Sequence, residues 1–204
     1  MRAARLPKLA IVVAALAVAQ LGFAQPDEPA SLVQLADDLC FYPDGDHAVT
    51  WDNAARRGFT PILTEHIPGL RLPGVRQLRG FTKTIDGTEV RVLTAVNRWR
   101  AMGRGFASFH LCWVSALPAN RESVDSRLGE FLKLEHFPQD DASVFAWLPQ
   151  ADGSRQPVSR RAFGRRYFQL SRDQGMRTVM TNHTGDRVSI TYMRPVGSCE
   201  DWCY

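Results

Sequence analysis

The sequence predicts an α+β fold: an antiparallel β-sheet of about six to seven strands, with N-terminal helices and one mid-chain helix packed on one face. Three observations carry this. The stretch Gly105–Ser115 (GFASFHLCWVS) is apolar, aromatic and alternating, which is the pattern of a central strand. Asp86-Gly87 lies between two strand-like runs and is a strong hairpin signal. The order of elements is helices, three strands, a helix, then four strands, whereas a doubly wound parallel sheet needs strict strand–helix alternation.

In the central stretch, side chains of alternate residues point to opposite faces. Ala107, Phe109, Leu111 and Trp113 share an oily face, which the helices are expected to cover. Phe106, Ser108, His110, Cys112 and Val114 share a mixed face. Leu117-Pro118 ends the strand, because proline has no ladder donor.

The chain opens as a bacterial secretory leader. Arg2, Arg5 and Lys8 form a positive region, Leu9 to Ala19 an apolar one, and Gly22 and Ala24 offer a cleavage site before Gln25. The apolar region is shorter than the roughly 20 residues a membrane span needs. The expected organisation is therefore a leader at 1–24, a flexible segment at 25–30 and one α+β domain at 31–204. The expected location is the periplasm or the medium, with no transmembrane segment after cleavage. The leader takes three of the 25 basic residues with it, which leaves a near balance against 21 acidic ones. The basic character of the whole chain is thus no argument for nucleic-acid binding.

After the leader, Ser31 can cap a short helix with Leu32, Leu35 and Leu39 at helical spacing, closed by Cys40. Pro43-Asp44-Gly45 reads as a turn, and Asp46 as the cap of a helix at about Ala48 to Arg57 that Gly58 stops. Thr60 to Leu78, with three prolines, reads as a connecting loop with room for one short strand. Strands are expected at Arg79–Ile85 and Thr88–Trp99. Ser123 begins a helix with Val124, Leu128, Phe131 and Leu132 on its oily side, and Pro138 stops it. Strand Ser143–Leu148 follows. Ser154–Arg166 is read as irregular. Strands Tyr167–Ser171, Met176–Asn182 and Arg187–Met193 complete a meander.

Cys40, Cys112, Cys199 and Cys203 fit an oxidising compartment. The expected pairs are Cys199 with Cys203, a short terminal loop, and Cys40 with Cys112, which pins a helix to the sheet. The rival pairing joins Cys40 or Cys112 to the C-terminal pair.

The sequence contains no G-x-S-x-G elbow, H-E-x-x-H helix, P-loop or G-x-G-x-x-G. Asp44-Gly45-Asp46 has the start of a calcium loop, but Ala48 and Ala55 stand where ligands are needed. No metal and no cofactor are expected. His110 is the candidate pocket residue, since it shares a strand face with Cys112 and Ser108. Arg155, Arg160, Arg161, Arg165, Arg166 and Arg172, with Tyr167 among them, form the candidate anion or partner surface. The function expected is non-enzymatic binding of a protein or envelope component, not of nucleic acid. The alternative is a small periplasmic hydrolase or transferase acting on envelope material.

Overall fold

The computed structural model describes residues 32–63, 74–101, 105–119 and 121–196. The expected leader at 1–24, the segment at 25–30, Ser31, and Cys199 and Cys203 with their expected pairing lie outside these residues.

Helix α1 (Leu32–Ala36) runs into a π-helical turn, Asp37–Phe41. Helix α2 (His47–Arg56) follows. Asp46 caps it as expected, its Oδ1 accepting from the N–H of Ala48 at 2.9 Å and of Val49 at 3.2 Å. Strand β1 (Thr60–Ile62) is short. The long strands β2 (Val75–Ile85), β3 (Thr88–Ala101) and β4 (Gly105–Leu117) form a meander. Helix α3 (Arg121–Leu132) leads to β5 (Phe137–Gln139), β6 (Ala142–Pro149) and β7 (Arg155–Pro157). Helix α4 (Arg160–Gln174) is followed by β8 (Arg177–Thr184) and β9 (Arg187–Pro195).

Among the described residues, nine strands build one antiparallel sheet in the order β1-β2-β3-β4-β9-β8-β6-β5, and β7 also pairs with β6. The class is as expected and the sheet is larger, because β1, β5 and β7 are three-residue strands too short to carry a periodic signal. Strand β4 does lie in the interior, between β3 and β9. The β2–β3 hairpin turns at Asp86 (φ 48°) and Gly87 (φ 79°), the positive angles that make Asp-Gly a hairpin signal.

Four sequence expectations are corrected. Strand β2 begins at Val75, so the end of the segment read as a loop is paired with β3. Helix α3 begins at Arg121 rather than Ser123. It ends at Leu132 rather than at Pro138, because Lys133 takes φ 56° and Leu134 N–H bonds back to Gly129 O; Pro138 then lies in β5. Of the stretch Ser154–Arg166 read as irregular, Arg155–Pro157 is strand β7 and Arg160–Arg166 opens helix α4, which runs on through the expected strand Tyr167–Ser171. Ser159 caps it, its Oγ accepting from Ala162 N–H at 3.3 Å, and Gly175 ends it at φ 62°.

The fourth correction concerns the faces. The N-terminal helices and α3 do share one face, but it is the Cys112 face of β4. The Cys40–Cys112 bridge, with Cα atoms 5.6 Å apart, ties the π-helical turn there. The core beneath includes Leu39, Val92, Val114, Leu128, Phe145 and Ile190, all at most 1% exposed. Thr50 Oγ1 donates to Leu39 O at 2.7 Å, and Trp51 Nε1 donates to Thr94 Oγ1 of β3 at 2.8 Å, so α2 is held to both the turn and the sheet. Inside the α3 interface, buried Asp125 accepts from Ser143 Oγ at 2.6 Å and Thr181 Oγ1 at 2.5 Å. The oily face with Phe109 and Leu111 lies under α4 instead. Both faces of the sheet centre are therefore covered.

Candidate functional site

Helix α4 owes its placement to Ala162, Phe163, Tyr167 and Leu170, which pack on the sheet with Val144, Ala146, Phe109 and Met180. The spacing of Phe163, Tyr167 and Leu170 is that of one helix face. The Tyr167 ring lies 5.7 Å from Phe109, and Phe163 meets Phe137 edge-on at 5.2 Å. Burial in this apolar layer raises the Tyr167 phenol well above its ordinary range. Tyr167 thus anchors the helix, and its ring is turned from the solvent face.

The outer side of α4 is arginine. Arg160, Arg161, Arg165, Arg166 and Arg172 are all exposed. Arg161, Arg165, Phe168 and Arg172 follow one another at four-, three- and four-residue intervals, which aligns them along the helix. Arg172 pairs with its neighbour Asp173 at 2.7 Å, and Arg166 donates to Gln169 Oε1 at 3.2 Å. Among the described residues, no carboxylate pairs with Arg160, Arg161, Arg165 or Arg166. The backbone departs from helix at Arg166 (φ −129°, ψ 16°), in the middle of the basic face. Arg155 stands apart from this group, on β7. Its guanidinium lies 5.5 Å from the Trp147 ring and donates to Leu132 O at 3.2 Å.

His110 belongs to a second polar cluster, at the α2 end of the sheet. Its Nδ1 meets Gly45 O at 3.0 Å, and its ring stacks on His47 at 4.4 Å. Burial lowers the pKa of both imidazoles; that of His47 is pushed down to about 4, with His110 and the cationic Arg194 adding to the effect. Asp46 caps α2 beside the two imidazoles, and the neighbouring Asp44 is part of a hydrogen-bonded network. Asp44 accepts from Arg177 through two 2.8 Å hydrogen bonds, from Arg194 at 3.4 Å, and from the Tyr192 hydroxyl. Burial works against its charge, but the Arg177 and Tyr192 hydrogen bonds outweigh that and hold its carboxyl below the usual range. This arrangement ties loop 42–46 to β8 and β9.

A cleft of about 500 Å³ opens elsewhere, between α2 and the β1–β2 pair, and His110 is not in its wall. Among the described residues, no group of three or more His, Cys, Asp or Glu side chains is arranged to hold a metal ion. No described helix is long and apolar enough to cross a membrane.

The sequence reading brought the α4 arginines together correctly as neighbours but missed the helix that aligns them. It missed the Asp44, Arg177, Tyr192 and Arg194 network altogether. Comparison with protein-family models, with curated proteins and with solved structures finds no match to this chain.

Proposed function

We propose that the protein is a non-enzymatic binding protein that holds an anionic protein or envelope component against the outer face of α4. The observation that carries this reading is the row of exposed arginines on a helix whose opposite side is locked into the core. The core backs this face, and the guanidinium groups of Arg160, Arg161, Arg165 and Arg166, which no described carboxylate pairs, are available for phosphate or carboxylate oxygens. The same reading takes the chain to work outside the cytoplasm. The Cys40–Cys112 bridge supports that, since disulfides persist in oxidising compartments.

The test replaces Arg160, Arg161, Arg165 and Arg166 together with glutamine. Retention on heparin and on vesicles containing anionic lipid should fall, with a weaker salt dependence of elution and a nearly unchanged melting temperature. Retention equal to that of the parent chain would sink the proposal. Intact-mass measurement of the exported chain should show it to begin at Gln25.

A further inference from the structure

We infer that the cleft between α2 and the β1–β2 pair is a binding site for a small organic carboxylate with an apolar body. Its volume of about 500 Å³ lies within the roughly 300–1,000 Å³ usual for small-molecule sites. Its lining combines apolar wall with very few charges.

The anchor is Arg79. Its guanidinium lies 3.8 Å from the centre of the Trp51 ring. That ring is itself fixed, because its Nε1–H is spent on Thr94 Oγ1. One face of the exposed guanidinium thus rests on the Trp51 ring, while the N–H groups on its edge point outward to donate. Among the described residues no carboxylate pairs with Arg79. The planar fork of donors matches the two oxygens of a carboxylate.

The apolar part has its own place. Phe81, Ile62, Pro61 and Leu63 line the cleft, and Leu63 is 61% exposed. Gly80 offers the cleft only backbone, since a Cβ there would point to the opposite sheet face, within 2.7 Å of Ile62 Cγ1 and 2.9 Å of Leu93 Cδ2. Ala55, exposed on α2, keeps the opposite side small. Asp52 also lines the cleft and opposes an anion, so it sets a limit on affinity.

The experiment titrates the purified chain with 4-phenylbutyrate and with the uncharged 4-phenylbutanamide, followed by the NMR signals of the Trp51 indole N–H and the Arg79 Nε–H. The carboxylate should shift both signals saturably, and the amide should bind about tenfold more weakly or worse. Arg79→Gln should abolish the preference for the carboxylate. Ala55→Phe, which fills the cleft from an exposed helix position, should abolish binding of both compounds without lowering the melting temperature. Asp52→Asn should tighten the carboxylate. The α4 quadruple glutamine variant should bind 4-phenylbutyrate like the parent, which separates this site from the arginine face. Equal binding of acid and amide, or carboxylate binding that survives Ala55→Phe, would overturn the inference.

Discussion

Arg177 grips Asp44 at two points, Nε to Oδ1 and Nη2 to Oδ2, each 2.8 Å, across 133 residues of sequence. The pair joins the turn before α2 to β8, and Tyr192 of β9 shares the acceptor. Asp44→Ala strips partly buried Arg177 and buried Tyr192 of that acceptor together. The expected loss is roughly 1–2 kcal/mol, at the low end for such networks because the Asp44 side chain is 43% exposed. Asp44→Asn keeps an oxygen for Tyr192 and should lose less. Urea denaturation of the two variants reads the difference.

Acid should weaken the fold in two successive ranges. His47 has a folded pKa of about 4 against an ordinary 6.5, so the unfolded chain binds the proton more readily between those values. Its contribution is complete above about pH 6.5 and is lost as pH falls towards 4. His110 adds to the same range, its pKa being lowered by burial. Asp44, lowered from 3.8, contributes stability that is complete above its ordinary pKa and is lost at still lower pH. His47→Gln has no proton to gain, so its melting temperature should fall less than the parent's between pH 6.5 and 4. A parallel decline in the two proteins would show that His47 plays no part.

Opening the Cys40–Cys112 bridge should have a global effect. It closes a loop spanning a separation of 72 residues, for which chain-entropy models give about 4 kcal/mol. The double variant Cys40→Ala, Cys112→Ala should shift the urea midpoint accordingly. Hydrogen exchange should quicken first in α1 and the π-helical turn, which the bridge fastens to β4.

Gly164 is a position where the natural residue is not the stable one. It sits inside α4, is exposed, and an added Cβ would meet nothing within 4 Å. Gly164→Ala should therefore stabilise the protein by about 0.5–1 kcal/mol through helix propensity and a less disordered unfolded chain. Calorimetry should show a higher melting temperature, with heparin retention kept.

What the sequence made legible was local, and what it hid was distant or disguised. Asp86-Gly87 and the Asp46 cap act on their immediate neighbours, so a few residues sufficed to find them. Joining Cys199 to Cys203 as a short loop leaves Cys40 for Cys112, and the Cys40–Cys112 bridge is present. Helix α4 was disguised: Ser159, the Phe163, Tyr167 and Leu170 face, and Gly175 all mark a helix, but the flanking arginines swamp the apolar period. The partners of Asp44 lie on β8 and β9, more than 130 residues away, where no spacing rule reaches. The cleft is likewise assembled from separate elements, with Trp51 on α2 and Arg79 on β2, and neither residue points to the other in the sequence.

The outermost strands have a consequence for how the molecule behaves in a crowd. Strand β6 is apolar along most of its length, and a bare backbone edge on such a strand is a template for aggregation. Here β5 covers its first part and β7 its last. These two strands, like β1 at the far rim, are only three residues long, and each carries a proline: Pro138, Pro157 and Pro61. A proline withholds one ladder donor, and three residues offer little to copy. The rims thus discourage fibre-like growth from sheet to sheet.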